Sequence, residues 1–65
     1  MDTEDTLTEV LFEFVVHGNY VKVMAVDPKS GREVSIVGDG RTSRKHLESL
    51  ATKKLRMVLK KSGAK

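Results

Sequence analysis

The chain has 65 residues, no cysteine and no tryptophan, and a formal net charge of +3 at pH 7. Without cysteine, neither a disulfide nor a cysteine-based metal centre can stabilise the core, and this composition fits a reducing compartment. No apolar run approaches the ~20 residues of a transmembrane helix. Residues 1–6 are acidic, whereas a secretory signal begins with basic residues. We therefore expect a small cytoplasmic domain without a membrane partner.

The chain divides into one predicted domain and two polar ends. Residues 1–8 are acidic and polar, and we expect them to be disordered, as polar termini are unless packing holds them in place. Residues 9–61 carry the apolar periodicity of a folded domain. Residues 62–65 are expected to form a flexible C-terminus.

The first predicted element is a β-hairpin. Gly18-Asn19 is a plausible two-residue loop that needs positive φ, between strands at 9–16 and 20–27. This loop places Phe14 opposite Val23, and it makes one face of the hairpin wholly apolar.

A second turn at residues 27–31 adds a third strand. Pro28 is preset for an early turn position, and Gly31 is available for a left-handed exit. The turn places Val23 opposite Ile36, on the apolar face that the first hairpin had already selected. Because a slip of one residue at either turn would break this agreement, the sequence predicts an antiparallel β-meander of order 1-2-3.

A C-terminal amphipathic helix follows a stretch at residues 38–40 that reads as a flexible linker. Thr42 and Ser43 are both competent N-caps, and the helix is predicted to end near Lys61. The predicted apolar stripe consists of Leu47, Leu50, Ala51, Leu55, Val58 and Leu59. The expected fold class is α+β, with three antiparallel strands packed against one helix.

The predicted core lies between this helix and the sheet. Its central residues are expected to be Phe14, Val23, Ile36, Leu47, Ala51 and Leu55. Lys54 conflicts with the pattern, because it points into the apolar stripe at about 100° per residue. Two interpretations stay open: its stem passes the sheet edge so that the charge reaches water, or the charge is paired at a partner interface.

The opposite face of the sheet is more apolar than a solvated face needs to be. Its apolar residues are Leu11, Val15, Tyr20, Met24, Val26 and Val37. So small a core is marginally stable, and oligomerisation is a common remedy. We expect a homodimer formed through this face or through the edge strands. The alternative is a monomer whose strands simply favour β-branched residues.

Charge is divided unevenly along the chain. Residues 1–40 hold three basic and eight acidic groups, whereas residues 41–65 hold nine basic groups and one acidic group. The candidate basic ridge consists of Arg41, Arg44, Lys45, Lys53, Arg56 and Lys60. Such a ridge could meet an acidic protein or follow a phosphate backbone. It could also serve only to solubilise the helix, since Lys and Arg are good helix formers.

Candidate catalytic and metal-binding groups are few. His17 and His46 have no ligand partners at a recognised spacing. Ser43 lies three residues before His46, but no orienting group or oxyanion hole accompanies the pair, so Ser43 is interpreted as a helix cap. The sequence therefore predicts a non-enzymatic protein without a cofactor.

Two parts of the chain resemble known families. The runs at residues 18–23, 25–28 and 31–38, followed by a basic helix, resemble a family of short uncharacterised bacterial proteins, chiefly proteobacterial. This resemblance spans residues 9–61 and implies a fold but no activity. Separately, residues 38–45 leading into a helix resemble the last third of a double-stranded-RNA-binding domain, in which a basic pair matching Arg44 and Lys45 meets phosphates. The first helix of that domain is missing here.

The predicted function follows from these surfaces. We expect an interaction module that dimerises and presents its basic helix to a protein or other anionic partner. The alternative is a module that binds the backbone of duplex RNA or DNA.

Overall fold

The computed structural model of the protein describes residues 9–63. Three strands are followed by one helix, and their bounds are β1 Leu11–His17, β2 Tyr20–Val26, β3 Glu33–Asp39 and α1 Arg44–Gly63. The strands form an antiparallel sheet of order β1-β2-β3. The predicted α+β meander with a C-terminal helix is therefore confirmed. The predicted disordered residues 1–8 and the last two residues of the predicted flexible tail lie outside the described part of the chain.

Both predicted strand registers are confirmed. Phe14 pairs with Val23 across β1 and β2, and Val23 pairs with Ile36 across β2 and β3. Val23 therefore lies at the middle of the apolar face, and its side chain is fully buried. Two short turns are enough to specify this arrangement, because a strand's side chains alternate with a period of two.

Glycine supplies positive φ at both turns. Gly18 has φ of 56° and Gly31 has φ of 80°, whereas no non-glycine residue among those described has positive φ. The first loop therefore needs positive φ at Gly18 but not at Asn19, which is the pattern of a type II′ turn. In the second turn, Asp27 is buried, and its carboxylate accepts hydrogen bonds from the Lys29 N–H at 3.1 Å and from the Ser30 hydroxyl at 2.8 Å.

The core lies where the helix crosses the sheet. Its buried apolar residues are Val21, Val23, Ala25, Leu47, Ala51 and Leu55. Phe14 and Ile36 pack against this cluster but are only partly buried. The predicted centre of the core is correct for Val23 and for the three helix residues, and Ala51 is fully buried within it.

Two predicted packing assignments are wrong. Leu50, placed in the apolar stripe by its spacing, is 42% exposed on the flank of the helix. Residues 38–40, interpreted as a linker, begin inside β3: Gly38 pairs with Val21, and Asp39 pairs with Tyr20. Gly38 lies beneath Leu47, and a Cβ built at that glycine would meet Leu47 Cδ2 at 2.5 Å. The helix can settle on this end of β3 because residue 38 has no side chain.

The helix covers the sheet unevenly. It packs mainly on β2 and β3, since only a short connection separates the end of β3 from Arg44. The inner face of β1 is consequently less covered, and Val16 on that face is 73% exposed. The described chain is elongated, with extents of 40 × 17 × 17 Å.

Candidate functional site: the groove between the helix and the first strand

Ser43 caps the helix as predicted. Its hydroxyl accepts a hydrogen bond from the backbone N–H of His46 at 3.1 Å, and its carbonyl accepts one from the N–H of Leu47 at 3.1 Å. These bonds satisfy backbone donors that every helix start leaves without an intrahelical partner. The arrangement gives Ser43 a structural role that accounts for its spacing from His46.

The described residues contain no cluster for a metal ion. No group of three or more His, Cys, Asp or Glu side chains within residues 9–63 could hold one. His17 instead stacks on Tyr20, with ring centroids 5.5 Å apart and planes inclined by 25°. Sequence reasoning missed this contact, although the hairpin register already made the two residues cross-strand partners.

Arg41 of the predicted basic ridge lies at the turn that precedes the helix. Its guanidinium contacts the Asp39 carboxylate at 3.2 Å, and its backbone N–H donates to the same carboxylate at 2.8 Å. The side-chain hydrogen bond, followed by the backbone hydrogen bond, holds the pKa of Asp39 below its ordinary value. Arg41 therefore has an acidic partner of its own within the turn.

Arg44 lies over an aromatic ring of the sheet. Its guanidinium carbon is 4.2 Å from the centre of the Phe14 ring, a cation–π geometry. Arg44 shields one face of a phenylalanine that the helix leaves partly uncovered. This role as a cover could be found only in the fold, because it depends on the angle at which the helix leaves the turn.

Three other ridge residues, Lys45, Lys53 and Arg56, line one open groove of about 390 Å³. Phe12 of β1 contributes the aromatic part of its lining. The remaining lining residues, all from α1, are Glu48, Ser49 and Thr52. The groove thus combines three cations, one carboxylate and an aromatic ring, which is a suitable lining for a partner that carries both negative charge and apolar groups.

Lys60 and Lys54 lie outside the lining of this groove. Lys60 is exposed and lies one turn beyond Arg56. Lys54 donates a hydrogen bond from Nζ to the backbone carbonyl of Ser35 at 3.0 Å. Its stem therefore passes the β3 edge of the sheet, as one of the two interpretations predicted. The ammonium group ends at a backbone carbonyl of that strand.

The candidate dimer face lies on the side of the sheet away from the helix. Tyr20 and Leu11 are about half exposed there, and Val37 is 65% exposed. Val15, Met24 and Val26 are intermediate in exposure. Across the strands, apolar and polar side chains share this face, since Met24 lies between Glu13 and Ser35. The structure brings the six predicted residues onto one surface.

One family model matches this chain. A domain of unknown function, DUF6898, covers residues 7–62. The chain belongs to the DUF6898 family. The match spans every described strand and nearly all of the helix, so the family and the folded domain coincide.

Comparison with curated proteins and with solved structures gave no match. Within the described residues, no helix is both long enough and apolar enough to cross a membrane.

Proposed function

We propose that this DUF6898 domain is a non-enzymatic, homodimeric interaction module that presents the cations of α1 to an anionic protein partner. The observation that carries the proposal is the groove in which Lys45, Lys53 and Arg56 share a lining with Phe12. A protein segment can offer carboxylates and apolar side chains together. A phosphate backbone offers charge but little apolar surface.

Two further observations favour a protein over a nucleic acid. Arg41 contacts the Asp39 carboxylate, which offsets part of its positive charge, and Arg44 lies over the Phe14 ring. Of the six residues in the predicted ridge, only Lys45, Lys53 and Arg56 line the groove, so the row of cations there is shorter than the predicted ridge. Backbone binding to a duplex gains affinity with each phosphate contact, and a short cluster offers few of them.

Dimerisation is proposed because, within the described residues, α1 covers only the inner face of the sheet. The helix packs on the inner face, while the outer face exposes apolar side chains such as Val37 and Leu11. Sheets normally bury an apolar face against another layer, and a second copy of the sheet would supply that layer. An apolar contact of this kind would also add to the small core of the monomer.

The proposal is tested by cross-linking capture from the native cell with three baits. The baits are the parent domain, a Lys53→Gln/Arg56→Gln variant, and a Lys29→Gln/Arg32→Gln control that loses the same charge at the exposed β2–β3 turn. We expect a defined set of proteins to be retained by the parent and the control and lost by the helix variant, with no effect of nuclease treatment. Retention that disappears with nuclease would assign the surface to nucleic acid. Equal retention by all three baits would refute a role for the helix cations.

A further inference from the structure

The inner face of β1 is an incomplete part of the domain's apolar layer. Phe12 and Phe14 are partly buried there, with Arg44 lying over the Phe14 ring, and Val16 at the same face is largely exposed. We call these three residues the β1 strip. The strip lies beside the helix flank and not beneath the helix, because α1 packs mainly on β2 and β3.

The backbone of β1 offers a second means of recognition. In the described sheet β1 is an edge strand that pairs only with β2. An edge strand presents alternate N–H and C=O groups that can accept a further strand. The other edge is less open, since Lys54 donates its hydrogen bond to the Ser35 carbonyl of β3. A lysine placed on an edge discourages pairing, so β1 is the favoured edge for an added strand.

The charges above the strip are spaced for an extended chain. Lys45 and Arg56 lie eleven residues apart on the helix, or about 16 Å at roughly 1.5 Å per residue. Two side chains four residues apart on the same face of an extended chain are about 13 Å apart at roughly 3.3 Å per residue, and the long, flexible side chains of the two cations span the difference of about 3 Å. Glu48 lies between the two cations along the helix, and its carboxylate would repel a third carboxylate in the groove, to whose lining Phe12 contributes an apolar ring.

We propose that an extended acidic segment of a partner protein binds along β1 as a fourth strand. Two of its carboxylates meet the cations of the helix flank, and an apolar side chain between them covers the β1 strip. Since side chains alternate along a strand, the preferred pattern is acidic-x-apolar-x-acidic. This inference rests on the proposed function and specifies the partner's conformation and sequence pattern.

Fluorescence anisotropy with synthetic nine-residue peptides tests the pattern. The ordered peptide carries carboxylates at positions 3 and 7 and leucine at position 5, with threonine elsewhere. A permuted peptide of the same composition has adjacent carboxylates and leucine at position 8. We expect the ordered peptide to bind about tenfold more tightly, because only its side chains reach both cations and the strip together.

Backbone methylation tests the strand geometry. Two versions of the ordered peptide carry N-methyl groups at odd or at even positions, which removes alternate hydrogen-bond donors. Only one of these sets faces β1 in an added strand. We therefore expect one methylated peptide to bind like its parent and the other to lose about tenfold or more in affinity. A peptide that binds in any other conformation would not separate the two versions in this way.

Charge variants connect the binding to the groove. Lys45→Gln/Arg56→Gln should weaken the ordered peptide by about tenfold, the effect of two partly solvated ion pairs. Lys29→Gln/Arg32→Gln removes equal charge elsewhere and should change affinity by less than about twofold. Both pairs of side chains are exposed, so the fold should survive in each variant.

The outcomes separate this inference from the proposed function. If all peptides bind equally and the groove variant weakens all of them, attraction of anionic partners stands and the fourth strand is refuted. If no peptide binds at ~1 mM, which corresponds to about −4 kcal/mol, the inference is refuted. The proposed function would then be tested independently by the cross-linking capture experiment. Discrimination between the two methylated peptides, together with loss in the groove variant, would support the inference.

Discussion

At the scale of single residues, Gly38 sets how closely the helix approaches the sheet. It occupies the inner face of β3 directly beneath Leu47, whose side chain is almost fully buried. The spacing of Gly38, Asp39 and Gly40 suggested a linker, because glycine more often marks a break than a strand. If the predicted β2–β3 register is extended to the end of the hairpin, it pairs Gly38 with Val21 and so places Gly38 within β3, as the structure does.

Replacement of Gly38 by alanine should destabilise the domain. The new Cβ would lie 2.5 Å from Leu47 Cδ2, so that Leu47 must move. Overpacking of this kind costs about 1–3 kcal/mol. Urea denaturation of Gly38→Ala, Leu47→Ala and the double variant measures the coupling, and we expect the alanine at 38 to cost less when Leu47 is truncated. Strictly additive effects would contradict the proposed steric contact.

Asp39 and Arg41 give a pH-dependent prediction. The two hydrogen bonds from Arg41 favour the ionised carboxylate, so the pKa of Asp39 lies below 3.8 in the folded protein. The stabilisation that the ionised Asp39 gives the fold is thus fully present above pH 3.8, and it is lost as the pH falls through the lowered pKa. Titration of the Asp39 carboxyl carbon by NMR should show this low midpoint, and Arg41→Gln should raise it. An unchanged midpoint in the variant would show that the side-chain contact does not form in solution.

At the scale of secondary structure, two leucines of α1 serve as matched reporters of the helix orientation. Leu55 is fully buried, whereas Leu50 is substantially exposed, although both match the helical periodicity of the apolar stripe. The difference arises because α1 packs mainly on β2 and β3, and the side of the helix that faces them includes Leu55 but not Leu50. The periodicity alone defines a broad stripe and does not locate its centre.

Leu55→Ala and Leu50→Ala should therefore have different effects. Loss of a buried leucine side chain costs about 2–5 kcal/mol, which is most of the stability of so small a domain. Loss of the exposed Leu50 side chain should cost less than about 1 kcal/mol. Thermal unfolding followed by circular dichroism compares the two directly. Similar melting temperatures for both variants would mean that the helix is rotated relative to the structure described.

The sequence predicted the elements better than it predicted the surfaces. The strands, their registers and the helix cap follow from local turn chemistry and from periods of two and 3.6 residues, which are properties of neighbouring residues. The roles of Arg44 and Val16 depend on where the helix crosses the sheet. The sequence predicts a basic ridge of six residues but not the contacts of Arg41 with Asp39 and of Arg44 with Phe14, nor the groove at Phe12, which requires β1 and α1 together.

At the scale of the whole molecule, one face of the sheet carries the helix and the other carries the predicted dimer contact. Met24 is central on this outer face, between Glu13 of β1 and Ser35 of β3. Its side chain is partly buried within the monomer. A second sheet packed on this face would bury it further.

Met24→Lys should dissociate the proposed dimer. A lysine at this position would bring an ammonium group into an apolar contact, where it would have to lose its hydration. Ser49→Lys adds the same charge to the exposed helix surface and serves as the control. Sedimentation equilibrium should give a dimer for the parent and the control and a monomer for Met24→Lys, with unchanged circular dichroism. A parent that remains monomeric at high micromolar concentration would remove homodimerisation from the proposal.

The remaining prediction concerns the charge pattern of the whole molecule. We predict that the groove binds a protein in preference to a phosphate backbone. Its most direct test is fluorescence anisotropy of the ordered acidic peptide and of a labelled RNA duplex at ~50 and ~200 mM salt, the range over which counterion release is most visible. We predict that the peptide binds at both salt concentrations with a modest loss, because apolar contact with Phe12 contributes, and that the duplex does not displace it. Duplex binding that falls steeply with salt, together with displacement of the peptide or no peptide binding, would contradict the account.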